Sequence, residues 1–229
     1  MTSALARGIL SVVFNVVFYG ALLFGPAGTF DWPRAWFLLG VLFVATVATV
    51  IALFPGRRAL IDERFKPPIQ KGQPFQDKVL TVVLLSSYVG DVLLVGLDRF
   101  RLRLLPPPGA VVSWFGLVFF VAGWTLLVLA MRENTFAAPV VKHQKERGQR
   151  VIDTGVYGIV RHPMYAGGAL FILGLPLFLE SYAATAAAAI PIGAMIARIF
   201  VEERLLAREL EGYRDYAARV RARLVPGVW

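Results

Sequence analysis

The chain has 229 residues, of which 57% are hydrophobic and 17% charged, with a mean hydropathy of +0.64 and a formal net charge of +9. A soluble domain carries about 25% charged residues, so this composition excludes a soluble fold and points to an all-α integral membrane protein. The absence of cysteine removes disulfides and a thiol nucleophile, and in a membrane-bound chain anionic lipid headgroups explain the basic surplus better than nucleic acid does.

The first apolar stretch, Ile9 to Phe24, ends at Gly25-Pro26-Ala27-Gly28 and is followed by more spans, so it reads as a membrane helix and not as a signal peptide. Trp32 and Trp36 read as interface anchors at the entry to a second span, Trp36 to Phe54, which stops at Pro55-Gly56. A basic loop, Arg57 to Lys78, carries Pro67-Pro68 and Gly72-Gln73-Pro74, which argue against a regular element through its middle. Span three is Val79 to Leu97. Span four, Val111 to Met131, follows Pro106-Pro107-Pro108-Gly109. The longest polar segment is Arg132 to His162. After it come two shorter apolar stretches, Met164 to Leu179 and Tyr182 to Phe200, read as a tight helical hairpin that either spans fully or is re-entrant. Arg198 to Arg223 repeats apolar residues at intervals of three and four, which predicts an amphipathic helix along the membrane face, with Gly212 as a point of bending and Leu224-Val225-Pro226 as its end.

About six spans result, and they place 20 of the 24 lysines and arginines on the side of the termini and the two long loops. The positive-inside rule puts that side in the cytoplasm, in the inner membrane if the host is bacterial. The organisation divides into N-terminal membrane helices, residues 1–130, and a C-terminal core with the hairpin and amphipathic helix, residues 131–229.

The chemistry concentrates at Gly155 to Tyr165, G-V-Y-G-I-V-R-H-P-M-Y. Pro163 suits the first helical position, where its missing N–H costs nothing, so His162 falls near the N-cap. The free N–H groups of that first turn and the Arg161 guanidinium suit an anion. A hairpin would bring Glu202 or Glu203 beside Arg161 and His162. Adjacent helix residues are about 100° apart, so one glutamate is expected to face inward and the other to pair with an arginine such as Arg198 or Arg204. Tyr157 and Tyr165 add ring faces and hydroxyls. Charges of both signs beside an apolar crevice suit a zwitterionic, partly aromatic ligand. The bland alternative is a helix start with a snorkelling arginine, and glutamates that merely offset a basic helix.

Three strings together resemble the isoprenylcysteine carboxyl methyltransferase and phospholipid methyltransferase family: Met131-Arg132-Glu133-Asn134-Thr135-Phe136, then Gly155 to Gly167, then Arg198 with Glu202-Glu203, Tyr213, Tyr216 and Arg219. The resemblance covers about 100 residues, Met131 to Pro226, and spans one to three carry no equal signature. It implies S-adenosylmethionine as cofactor, bound on the cytoplasmic side, and a lipophilic acceptor entering from the bilayer. Under it, Arg161 and His162 belong to the cofactor-binding motif, Tyr165 lines the cavity, and Tyr157 lies in the loop that closes over the cofactor. Glu202 or Glu203 supplies a carboxylate, and Asn134 lies between cofactor and acceptor; Glu202, Glu203 and Asn134 are the catalytic candidates. Carboxyl O-methylation of an isoprenylcysteine-like acceptor is favoured, with N-methylation of a phospholipid amine as the alternative. An H-P-x-Y segment also occurs in NADPH-dependent sterol-type reductases, and a non-catalytic transporter or assembly subunit is a third reading.

Asp91, inside span three, is expected either to line the acceptor channel or to make a structural contact. His143 reads as an exposed loop residue. Two histidines and no cysteine argue against a catalytic zinc site, and no phosphate-binding glycine loop is present.

Overall fold

A computed structural model describes residues 2–53 and 56–229; Met1 and the expected end of span two, Phe54-Pro55, lie outside the described residues. The helices are α1 (Thr2–Ala27), α2 (Pro33–Leu53), α3 (Arg58–Arg64), α4 (Phe75–Leu97), α5 (Ala110–Glu133), α6 (Pro163–Phe178), α7 (Tyr182–Ala187), α8 (Ala189–Glu209) and α9 (Tyr213–Arg219), and no strand occurs among the described residues. The chain is an all-α integral membrane protein. Among the described residues, five stretches are long and apolar enough to cross a bilayer: Arg7–Ala27, Pro33–Leu53, Phe75–Leu102, Ala110–Glu133 and Tyr182–Glu209. The fifth expected span, α6, has 16 residues. At about 1.5 Å per residue it falls short of a ~30 Å hydrocarbon layer. It still traverses the bundle. His162, just before it, meets Glu203 near the end of α8. Glu180, just after it, pairs with Arg34 and Arg99 at the opposite end.

The tight turn at Glu180-Ser181 is present. Glu180 adopts a left-handed φ of 66°, and the Ser181 hydroxyl caps α7 by accepting from the Ala184 N–H at 3.0 Å. The closest packing of α6, however, is with α5 and not with its hairpin partner. Gly116 and Gly123 on α5 and Gly167 and Gly174 on α6, each pair seven apart, meet in antiparallel order. A Cβ on Gly123 would sit 2.5 Å from the Gly167 carbonyl oxygen, and one on Gly174 would sit 2.6 Å from that of Gly116. Lipid tails are as apolar as leucine, so membrane helices gain little by burying leucine and gain more by backbone approach. Around this seam Phe120, Phe171, Leu175 and Phe178 form the core with Leu23, Leu38 and Leu42.

The polar segments are more structured than their composition suggests. The middle of the 57–78 loop is irregular as expected, but it opens with α3. There Glu63 is buried and pairs with Lys142 and Lys66, and Asp62 pairs with Arg7. The predicted amphipathic helix from Arg198 to Arg223 is not continuous. It ends at Glu209; Gly212, at φ 75°, reverses the chain; and only Tyr213–Arg219 is helical beyond it. The remainder folds back over the start of α6 as a strap, with the Arg161 N–H donating to Ala222 and the His162 N–H to Arg223, both at 2.9 Å.

Candidate functional site

The start of α6 follows from its sequence. His162 is the N-cap and Pro163 the first helical residue, and the strap meets the backbone there. Arg161 is buried, and its N–H groups are spoken for. Nε and NH2 donate to Glu203 Oε1 at 2.8 and 2.7 Å, and NH1 donates to the carbonyls of Val220 and Arg221 at 2.8 Å. His162 Nε2 lies 3.1 Å from the same carboxylate oxygen, and Arg223 Nε donates to Glu203 Oε2 at 3.0 Å. Glu203 is thus the hub that joins α8, the R-H-P turn and the strap. Its partners are Arg161, His162 and Arg223, not the expected Arg198 or Arg204; Arg204 Nε donates instead to the Phe200 carbonyl.

Glu202 points elsewhere. It accepts from the Tyr165 hydroxyl at 2.9 Å and lines a cavity of about 270 Å³. Asn134, Tyr157, Tyr165, Arg161 and His162 border the same space, with Arg64, Arg198 and Tyr213. The adjacent glutamates, about 100° apart, therefore divide into one cavity wall and one hub. Asn134 ends α5, and its Oδ1 accepts from the Phe136 N–H at 2.8 Å. Tyr157 sits in a 3₁₀ turn, Gly155–Gly158, whose carbonyl at Tyr157 accepts from the Tyr216 hydroxyl at 2.8 Å. Burial pushes the Tyr157 phenol above its ordinary pKa, against a smaller lowering by the Asn134 side chain. It pushes Tyr216 up to about 12, and raises Tyr213 with help from the charges of Glu203 and Glu202. These hydroxyls stay neutral at pH 7 and act as hydrogen-bonding groups, not as bases. The Tyr213 hydroxyl is buried without a partner among the described residues.

The other wall of the cavity was not visible in the sequence. Asp77 is fully buried and holds Arg198, Nε to Oδ1 at 2.7 Å, while the Arg198 NH2 also reaches the Pro139 carbonyl at 3.0 Å. Asp77 Oδ2 accepts from Gln73 Nε2 at 2.6 Å and from the Val141 N–H at 3.0 Å, which pins the 132–162 segment to α4. The available signal was Gln73, Asp77 and Thr81 at intervals of four, a polar stripe entering an apolar helix. In the sequence Tyr213 carries only the resemblance and Arg223 only marks the end of the basic helix, because a bend at Gly212 does not by itself say where the chain goes next. Asp91 is buried with neither carboxylate oxygen hydrogen-bonded among the described residues, and it does not border this cavity. His143 is only 11% exposed at its side chain and faces Glu209 at 3.5 Å, so it is not the exposed loop residue its neighbours suggest. No cluster of three or more metal-binding side chains occurs among the described residues.

The profile of one family, phospholipid methyltransferase, matches residues 111–211, from the first turn of α5 to just past the end of α8. The match covers 101 of the 229 residues, so that stretch is similar to the family. The matched region contains the glycine seam, the R-H-P turn, both glutamates and most of the cavity wall. Two curated relatives extend the comparison. Protein-S-isoprenylcysteine O-methyltransferase B of Arabidopsis thaliana is 28% identical over 152 residues, 62% of this chain and 75% of that protein. Cobalt-zinc-cadmium resistance protein CzcN of Cupriavidus metallidurans is 31% identical over 111 residues, 48% of this chain and 50% of that protein. The chain therefore spans only half of this second relative.

Proposed function

We propose that the protein is a membrane methyltransferase that binds S-adenosylmethionine in the 270 Å³ cavity and methylates a lipophilic acceptor at the basic, cytoplasmic face of the membrane. The observation that carries the reading is the placement of Glu202: a carboxylate that borders a cavity, beside the R-H-P motif, with Tyr165 as its hydrogen-bond donor. The volume is near the lower end of the ~300–1,000 Å³ usual for small-molecule sites. The buried, unpartnered Tyr213 hydroxyl supports a polar occupant. A zwitterion fits the lining: Glu202 meets its ammonium, Arg64 or Arg198 its carboxylate, and Leu127, Met164 and Met195 an aromatic ring. When bound, the cofactor supplies an electrophilic methyl group. The protein's part is then to position the acceptor in line and to exclude water. Arg161 and His162, which border the cavity, join Glu203 in holding the strap over the start of α6.

The favoured acceptor is an isoprenylcysteine-like carboxylate, in keeping with the Arabidopsis relative. A carboxylate is already ionised near pH 7 and needs no base. The placement of Glu202 also supports the second reading, a phospholipid amine, because an amine must lose its proton and Glu202 is the glutamate that borders the cavity. The test is calorimetric titration of the detergent-purified protein with S-adenosylmethionine. Tight binding to the wild type is expected, weakened at least about tenfold in Glu202→Gln, since a charge-assisted hydrogen bond contributes ~1.5–3 kcal/mol. Labelled methyl transfer to a prenylcysteine analogue or to phosphatidylethanolamine then assigns the acceptor. Binding of NADPH in place of S-adenosylmethionine overturns the proposal.

A further inference from the structure

A second cavity lies away from the motif. It is a groove of about 800 Å³ between α2 and α5, bordered by Gly40, Val44, Ala48, Trp124, Val128 and, at one end, Arg132. It follows α2 from Phe37 to Ala52, about 22 Å at 1.5 Å per residue. One leaflet of a ~30 Å hydrocarbon layer is about 15 Å deep, so the groove accepts a full acyl chain lying along the helices. Its polar side chains are already satisfied. Trp124 Nε1 donates to the Thr49 hydroxyl at 2.9 Å, Thr49 donates to the Ala45 carbonyl at 2.7 Å, and Thr125 donates to the Val121 carbonyl at 2.8 Å. The occupant therefore gains no hydrogen bond along the groove, and the chemistry available is apolar contact.

Arg132 is the exception. It is exposed at the end of α5, on the side of the bundle that carries the R-H-P turn, and has no ion-pair or hydrogen-bond partner among the described residues. A cation at the mouth of an apolar slot calls for a chain with an anionic head. The groove shares no bordering residue with the methyl-transfer cavity. Leu53, Leu60, Met131 and Ala137 form a separate buried cluster, on which Val128 of the groove and Met164 of the cavity both pack.

We propose that the α2–α5 groove seats one acyl chain of an anionic phospholipid from the Arg132-side leaflet, with its phosphate at Arg132, as a resident lipid and not as the methyl acceptor. The charge at Arg132 selects the head, and a groove with no lining residue in common with the cavity holds the chain apart from the reaction. The seat stands independently of what binds beside Glu202.

Trp124 is a built-in reporter of this groove. The protein is reconstituted in phosphatidylcholine nanodiscs containing brominated-chain phosphatidylglycerol, or the same fraction of brominated-chain phosphatidylcholine. Subtracting Trp124→Phe from wild type isolates the Trp124 signal. The expected result is quenching at about fivefold lower mole fraction of the phosphatidylglycerol probe, a preference that one interfacial cation can supply, and its disappearance in Arg132→Gln. That substitution lies at an exposed position and leaves S-adenosylmethionine binding by calorimetry unchanged. Equal quenching by the two probes, or a preference that survives Arg132→Gln, overturns the seat. Methyl label appearing on the phosphatidylglycerol probe overturns its resident role. Loss of cofactor binding in the wild type bears on the methyltransferase reading alone.

Discussion

The two helix pairs that enclose the cavity are held together by opposite means. Along α5 and α6, four glycines let backbone touch backbone. Between α4 and α8, a buried side-chain ion pair, Asp77–Arg198, does the joining. The cavity lies between the two, with Leu127, Tyr165 and Gly168 on the seam side and Leu84, Met195 and Arg198 on the strut side. A seam made everywhere of glycine would leave no room for a ligand. Struts made everywhere of ion pairs would bring charge after charge into the membrane, each costly unless fully partnered. Close packing where nothing binds, and a paired polar spacer where something does, is what the comparison teaches.

Breaking the strut gives the largest expected effect. Asp77→Ala leaves Arg198 buried without a counter-charge and takes the acceptor from Gln73 and from the Val141 N–H. Removing one partner of a buried pair costs about 3–5 kcal/mol, so the thermal midpoint in detergent is expected to fall steeply. The double variant Asp77→Leu with Arg198→Met removes both charges and is expected to regain much of that stability. Its cofactor binding stays weak, because Arg198 also borders the cavity. A double variant as unstable as the single one shows that the pair is not what joins α4 to α8.

The seam comes next. Gly174→Ala places a methyl group against backbone atoms of α5, where no rotamer can make room. Overpacking of this kind costs about 1–3 kcal/mol. Gly90→Ala is the matched control, since a Cβ there meets nothing within 4 Å, and it is expected to leave the midpoint unchanged. Equal effects of the two substitutions contradict a seam built on contact.

The seam and the strut also mark how far the sequence could be read. Hydropathy and turn residues place the spans, because a bilayer demands about 20 apolar residues per helix, and the Pro163 rule places the start of α6 to the residue. Those are local signals. The glycines of α5 and α6 read as generic small residues until the two helices are set side by side, and Asp77 reads as loop charge until Arg198 is brought to it across 121 positions. The strap is the clearest limit. Its three-and-four periodicity is genuine, yet Gly212 turns it, and only the tertiary hydrogen bonds to Arg161 and His162 show where it goes. The motif pointed to two glutamates without ranking them, because the facing of adjacent helix residues depends on the helix's rotation, which packing sets.

The smallest effect tests that ranking. Tyr165→Phe removes one hydroxyl and with it the 2.9 Å bond to Glu202, leaving the ring in place. A bond to a charged group contributes about 1.5–3 kcal/mol when its partner is then left unsatisfied. Glu202 faces a cavity that can hold water, so the loss of stability is expected near the bottom of that range or below it. Under the proposed function binding should respond more than folding, because an undirected carboxylate would no longer meet the proposed cofactor's ammonium in a fixed geometry. Affinity for S-adenosylmethionine is expected to fall about fivefold with the thermal midpoint almost unmoved. A fall in the midpoint with affinity intact would mean that the Tyr165–Glu202 bond, like Asp77–Arg198, is a strut, and that the ligand's polar end lies elsewhere in the cavity.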